Sequence, residues 1–356
     1  MMASSFCLQA NVKSMVFVPH RWKRAARQRN GLTCAVALRH HAPALMGLTG
    51  QDVGMGAGVT VTVIGEAMLE LSRGTGDSWN LRYGGDVINT AVHLARSGDT
   101  VRLASAMGSD PMSADLCAAW EAEGVDTSLV LRAADRLPGL YAIETDASGE
   151  RSFHYWRSDA AARRMFVLPG SAAMAEAAAQ SDLLYFSLIT LAILPDEGRE
   201  ALLDLCAAVR ARGGKVAFDG NYRARLWDDA ATARHWRDRA IALADIGLPT
   251  LADEVEMGEA DDAQDAATRW GAGAGREIIV KLGGDGCLVD GQVVPIPRSL
   301  DVVDSSGAGD AFNGGYLHAR LGGATPLDAA LAGHRLAGWN IGRRGAIPAK
   351  DADAPY

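Results

Sequence analysis

From residue 59 onward the chain alternates two kinds of apolar spacing. Residues 59–64, V-T-V-T-V-I, are β-branched throughout and stop at Gly65, which is the signature of a strand. Ile88, Ala91, Val92 and Ala95 fall at i, i+3, i+4 and i+7, so residues 87–97 are expected to form an amphipathic helix ended by Gly98. A strand at 101–106 and a helix at 115–123 follow. The order recurs as a strand at 183–187, a helix at 197–212 with Leu202, Leu205, Cys206 and Val209 on one face, and strands at 215–218 and 277–280. This alternation predicts an α/β fold, a doubly wound and mainly parallel sheet flanked by helices on both faces. Ligands of such sheets bind beyond the carboxyl ends of the strands.

One segment departs from the alternation. Residues 140–156 read as two aromatic and β-branched runs about the turn Asp146-Ala147-Ser148-Gly149, a hairpin signal. Together with residues 69–83 they predict a small β-sheet beside the main one, built from segments at about 66–83 and 137–158. A lid over a binding site and an ordinary edge hairpin fit this pattern equally well.

Charge divides the chain. Of its 356 residues, the first 58 carry seven Lys or Arg and a single acidic residue, Asp52, whereas the whole chain has a net charge of −8. The basic, aromatic stretch at 13–29 has no periodic apolar face, and a transit peptide, a nucleic-acid arm and an unstructured leader share that look. Its positive charges follow rather than precede the short apolar piece, which argues against a secretory signal. Residues 1–54 are expected to be a disordered extension, or to lie outside the natural protein, with Met55 as a suitable start for a domain at 55–356. The His40-His41 pair and the run Gly54-x-Gly56-x-Gly58 are read the same way, because a dinucleotide loop would follow a strand and not precede it. The acidic remainder would repel a phosphodiester backbone, so no nucleic-acid partner is expected.

Five scattered cysteines with no C-x-x-C pair point to reduced thiols in a cytoplasmic protein and disfavour a disulfide framework or a zinc site. No run of about 18 uncharged apolar residues occurs, so no membrane span is expected.

The densest chemistry lies at residues 301–316, D-V-V-D-S-S-G-A-G-D-A-F-N-G-G-Y. Gly307, Ala308 and Gly309 allow close backbone approach, and a helix is expected to begin near Asp310. Free amides at a helix start suit a transferring phosphate. Asp310 beside them would accept a proton from an attacking hydroxyl, with the helix dipole holding its pKa low. The short G-A-G-D string alone is equally a simple helix cap.

Residues 304–315 match without a gap the signature D-[ST]-[ST]-G-A-G-D-A-F-x-x-G, and the chain thereby resembles the ribokinase, or PfkB, family of carbohydrate kinases. A second signature of that family is similar to Gly84-Gly85-Asp86-Val87-Ile88-Asn89. The resemblance covers about residues 59–348 and implies a ribokinase-like core with a small β lid, ATP and Mg2+ as cofactors, and a homo-oligomer; it leaves a monovalent cation open. It places Gly85, Asp86, Asn89 and Asp310 at the sugar. Strings at 137–146, 150–163, 187–194 and 219–227 are similar to the 2-keto-3-deoxygluconate kinase branch, which phosphorylates the terminal hydroxyl of a keto sugar acid. That similarity implies Tyr141, Tyr155, Arg157 and Arg223 as further substrate residues. A guanidinium grips a carboxylate through paired charge-assisted hydrogen bonds, a grip that a neutral sugar cannot use.

For the nucleotide, the resemblance implies Asn221, Lys281, Gly283, Gly284, Gly286, Gly307, Gly309 and Asn340. Residues 336–340 would border the adenine or serve only the core. Two segments depart from the family. Thr250 and Asp253 stand where N-x-x-E is usual, which leaves metal ligands unknown, and Ser306 stands where threonine is common. Two rivals remain open: a fructokinase or another PfkB sugar kinase, and a non-catalytic regulator that binds a sugar acid.

Overall fold

β-Branched and aliphatic runs covered on both sides build the centre of the molecule. The computed structural model describes residues 59–73, 77–145, 151–271, 275–297 and 301–356. The extension 1–54 and the turn at 146–149 lie outside the described residues. Strands are β1 (Thr60–Ile64), β2 (Met68–Arg73), β3 (Trp79–Gly84), β4 (Thr100–Gly108), β5 (Val125–Asp126), β6 (Val130–Ala133) and β7 (Gly139–Thr145). They continue as β8 (Arg151–Trp156), β9 (Leu183–Ser187), β10 (Lys215–Asp219), β11 (Ile246–Leu248), β12 (Glu277–Lys281), β13 (Cys287–Val289) and β14 (Gln292–Val294).

The main sheet runs β14-β13-β12-β11-β10-β9-β1-β4-β5, with β6 also on β4. Every pair from β12 to β5 is parallel, and only the β12-β13-β14 edge is antiparallel. All five residues of β9 are buried, as a strand covered on both faces should be. One face packs Leu202, Leu205, Cys206 and Val209 of the helix Asp196–Ala211 against Phe186, Phe218 and Trp270. The other packs Ile88, Ala91 and Val92 of the helix Asp86–Arg96 against Tyr316 and Leu317.

Two boundaries differ from expectation for local reasons. The helix expected at 115–123 begins at Pro111, because the Asp110 carboxylate caps it by accepting from Ser113 N at 3.0 Å and proline suits the first helical position. The helix expected near Asp310 spans Ala308–Leu321, with Gly307 as its left-handed cap.

A second sheet has the order β3-β2-β7-β8. Its hairpin β7-β8 is antiparallel with Tyr141 opposite Tyr155, while β2 and β7 run parallel, so the small sheet is mixed. β1 sits between β9 and β4, where the winding of the main sheet reverses, and the small sheet springs from the carboxyl end of β1 at Gly65–Ala67. Such a reversal leaves a crevice at the strand ends.

Candidate active site

A cleft of about 950 Å3 occupies that crevice. Its walls include Asp219 at the end of β10, Thr250 after β11, Lys281 at the end of β12, and Tyr141, Ile143, Phe153 and Tyr155 on one face of the small sheet. Of the residues singled out from sequence, Gly85, Asp86, Asn89, Tyr141, Tyr155, Arg157, Asn221, Arg223, Lys281, Gly283, Gly307, Ala308, Gly309 and Asp310 all line it.

Three expected nucleotide residues do not. Gly284 is exposed away from the cleft lining. Gly286 is buried with φ 101°, and a Cβ there would meet Pro295 Cα at 2.9 Å, so it serves a close backbone packing. Asn340 is fully buried and donates through Nδ2 to the Ser306 carbonyl at 2.9 Å, so it braces the glycine loop from behind.

That loop is fixed by side chains remote in sequence. Asp304 accepts from Ser306 N at 2.9 Å and from Gly345 N at 2.8 Å. Gly307 adopts φ 70° and turns the chain into the helix Ala308–Leu321; a Cβ on it would lie 2.8 Å from the Ala346 carbonyl oxygen. The first turn presents backbone N–H groups and the positive end of the helix dipole to the cleft.

Asp310 stands on this turn. Asn89 Nδ2 donates to its Oδ2 at 2.8 Å, which joins the two glycine-containing segments 221 residues apart. Burial, aided by the charges of Asp86 and Asp219, pushes the Asp310 carboxyl up to about 8, while Asn89 and Lys281 pull it down. The low pKa expected from the helix dipole is therefore not what the site produces: desolvation and two like charges outweigh a partial charge. Asp86 is raised too, by burial first. Asn221 Nδ2 donates to Asp86 Oδ2 at 3.2 Å.

Lys281 donates through Nζ to Asp219 Oδ1 at 2.7 Å and to Asn313 Oδ1 at 3.3 Å. Asn313 in turn donates to the Tyr185 hydroxyl at 3.0 Å. Asp219, Asn313 and Tyr185 form a buried polar floor that sequence reading did not single out. Asp219 had a usable signal as a carboxylate at a strand's carboxyl end; the other two are defined only by tertiary contact.

The arginines are used unequally. Arg157 is buried and paired with Glu66, itself 2% exposed, and Glu66 Oε1 and Arg157 Nε have no partner among the described residues. Arg223 donates to its neighbour Tyr222's carbonyl at 2.6 Å and stands 3.9 Å from Asp253. Arg225, unmarked by the sequence reading, lies with its guanidinium carbon 3.9 Å from the centre of the Tyr155 ring. Tyr155 stacks on Tyr141, whose hydroxyl donates to Glu70, so Tyr141 retains only acceptor capacity for a ligand.

At the altered N-x-x-E segment the two acidic residues part company. Asp253 lines the cleft and accepts from Tyr222 N at 3.1 Å, whereas Glu254 turns inward to the buried Arg237 at 3.0 Å. Among the described residues no group of three His, Cys, Asp or Glu forms that could cage a metal ion. A second cavity, of about 860 Å3, is lined by Asp301, His334, Gly338, Trp339 and Gly342, within reach of the stretch 336–340. No helix among the described residues is long and apolar enough to cross a membrane.

Comparison with known proteins identifies the family. The family model described as pfkB family carbohydrate kinase matches residues 60–353. The chain is 42% identical over 304 residues to 2-dehydro-3-deoxygluconokinase of Escherichia coli strain K12, an alignment covering 82% of this chain and 98% of the relative. Aminoimidazole riboside kinase from Salmonella enterica, solved with aminoimidazole riboside and an ATP analog, superposes with a TM-score of 0.69 at 27% identity, covering 81% of this chain and 95% of the other. The structure of 2-dehydro-3-deoxygluconokinase from Thermotoga maritima gives a TM-score of 0.72 at 22% identity, covering 81% and 95%, and shares the fold.

Proposed function

The chain belongs to the pfkB family of carbohydrate kinases and is an ATP-dependent carbohydrate kinase, and within that activity we propose that it phosphorylates the terminal hydroxyl of 2-keto-3-deoxygluconate, the compound also called 2-dehydro-3-deoxygluconate. One observation carries the reading: a helix-start carboxylate, Asp310, shares a single cleft with three arginines, Arg223 and the two that flank Tyr155, Arg157 and Arg225. An acceptor with a hydroxyl at one end and a carboxylate at the other suits that pairing. The identity to a kinase named for this substrate supports it.

In this mechanism the acceptor hydroxyl rests against Asp310 and Asn89. Its oxygen bonds to the γ-phosphorus of ATP as the bond to the β-γ bridging oxygen breaks, and ADP leaves. The hydroxyl proton passes to the Asp310 carboxylate. The backbone N–H groups from Gly307 to Gly309 receive the charge on the transferring phosphoryl oxygens, and Lys281 supplies a nearby cation. Asn89 orients the Asp310 carboxylate, and Gly85 leaves room for the sugar.

Magnesium suits the donor set as an ion that enters with the nucleotide. Its preference for phosphates plus one or two carboxylates fits the hard oxygens of Asp219 and Asp253 better than a protein cage would. Those two residues would hold it, and it would neutralise phosphate charge. The cavity beside Gly338 and Trp339 would take the adenine.

The test is an ATP-coupled assay of the purified chain against keto sugar acids and neutral ketoses. The expected result is the highest kcat/KM for 2-keto-3-deoxygluconate. A higher value for a neutral ketose would make the chain a fructokinase-type enzyme, and binding of the acid without any ATP turnover would make it a regulator.

A further inference from the structure

Of the three arginines on the cleft wall, two stand beside a carboxylate of the protein. Arg157 is matched by the buried carboxylate of Glu66, and removing a salt partner from a closed site is costly, so this guanidinium is held where it is. Arg223 is shared between the Tyr222 carbonyl and Asp253. Arg225 differs. It has no ion pair among the described residues, it lines the cleft, and its guanidinium rests on the face of Tyr155 at 3.9 Å. The contact crosses between the two parts of the fold: Arg225 lies on the short 3₁₀ turn Ala224–Leu226 after β10, while Tyr155 belongs to β8 of the small sheet.

Tyr155 is itself held, with ring centres 5.7 Å from Tyr141 and 6.4 Å from Phe153. An aromatic face attracts the flat of a guanidinium and leaves the in-plane N–H groups at its edge free to donate. Those edge groups are the ones that make two parallel bonds to a carboxylate. Stacking therefore orients the side chain without spending its hydrogen-bonding capacity, which a salt bridge would do.

We propose that Arg225 is a specificity-determining residue, the cation that reads the carboxylate of the acceptor, and that Tyr155 positions it. The proposal rests on the sugar-acid reading given above and assigns within it a residue that the sequence comparison of signatures did not. It transfers the discriminating role from Arg157, whose charge Glu66 already balances, to the guanidinium whose charge is unspent.

The experiment measures the wild type, Arg225→Ala, Arg225→Lys and Tyr155→Leu with 2-keto-3-deoxygluconate and with a neutral ketose, and measures binding of both sugars calorimetrically in the absence of ATP. Arg225→Ala is expected to raise KM and Kd for the acid at least about tenfold, the scale of a lost charge-assisted pair. KM for ATP and binding of the neutral ketose should stay within about twofold. Arg225→Lys should recover part of the loss, since the charge remains and the planar fork does not. Tyr155→Leu should shift the same discrimination by a smaller factor. Because Arg225 is exposed, its thermal unfolding midpoint serves as a check that the variant is folded. An acid Kd within about threefold of wild type, or equal losses for acid and ketose, would overturn the role of Arg225 while the wild type's preference for the acid still stood. A wild type that binds and phosphorylates the neutral ketose as well as the acid would overturn the sugar-acid reading, and this proposal with it.

Discussion

Asp310 sits at the positive end of a helix, where a lone carboxylate would be acidic, yet burial, aided by the charges of Asp86 and Asp219, pushes it up to about 8. A base of that strength is useful to a hydroxyl acceptor, since proton transfer works best with a group titrating near the working pH. Asp310→Asn keeps the shape and removes the proton acceptor, so kcat should fall on the order of 10²–10⁴-fold while ATP still binds. Retention of more than about a third of wild-type kcat would remove Asp310 as base. The pH dependence follows with a definite sign. A carboxyl raised in the folded state is active only when ionised, so kcat/KM should climb as the pH rises through about 8 and level off about one unit above it. A profile flat from pH 6 to 9 would contradict this. The same shift bears on stability: the folded state holds the Asp310 proton more tightly than the unfolded chain, a contribution fully present below about pH 4 and lost as pH rises through about 8. Asp310→Asn should therefore raise the unfolding midpoint relative to wild type at pH 9 more than at pH 5, as thermal scans at the two pH values would measure. The identity of Asp310 was legible from one string of residues. Its protonation was not, because Asp86 and Asp219 come from strand and helix ends 224 and 91 positions away in the chain.

Elements set these residues in place through ties that have no local spelling. The helix start at Gly307 could be read from its glycines, but the braces behind it could not: Asp304 reaches Gly345, and Asn340 reaches the Ser306 carbonyl. The family resemblance placed Asn340 at the nucleotide, and nothing in the local sequence shows that its amide turns to the Ser306 carbonyl instead. Gly307→Ala would force a side chain into φ 70° and against the Ala346 carbonyl at 2.8 Å, so the loop must shift. A displacement of about 1 Å at a reacting centre costs roughly 10²-fold, and kcat of this variant should drop by about that factor with a lowered unfolding midpoint. An unchanged kcat would mean that the amides of this turn do not meet the phosphoryl group. The joint between the two sheets is a second tie. Glu66, in the link from β1 to β2, pairs with Arg157, just past β8, and burial pushes the Glu66 carboxyl up although Arg157 opposes it. Arg157→Ala leaves that carboxylate buried without its partner and should cost on the order of 3–5 kcal/mol, whereas replacing both residues with methionine should recover most of the loss. Denaturant melts of the single and double variants decide this. Equal losses in both would show that the pair is not what joins the sheets.

At the scale of the whole molecule, the fold was legible because its sheet is parallel and two-sided: β9 and β10 must read as continuous apolar runs, and the helices between them must show one apolar face. The small sheet was expected from segments at about 66–83 and 137–158, but its strand pairing was not legible. Its parallel β2-β7 pairing joins segments about seventy residues apart, and nothing in either strand's own alternation specifies a parallel neighbour. Charge adds a separate division, between a basic stretch before residue 59 and an acidic body after it. The two buried clusters on the faces of the main sheet draw their described members from Val61 onward, and the family match begins at residue 60. The cleft is lined by residues from Met68 to Ala346. Stability in a domain of this kind comes from burial of apolar side chains, and activity from groups in the cleft; the sequence before Met55 carries no periodic apolar face that a core would need, so that stretch should be dispensable to both. A chain beginning at Met55 is therefore expected to unfold at the same temperature as the full chain, within about 2 °C, and to match it in kcat and in KM for both substrates. Its net charge would be more negative, so the full chain alone should bind heparin or an anionic vesicle through the basic stretch. A truncated chain that melted many degrees lower, or lost most of its kcat, would show that residues before Met55 pack into the kinase body, and the division of the chain at that point would have to be abandoned.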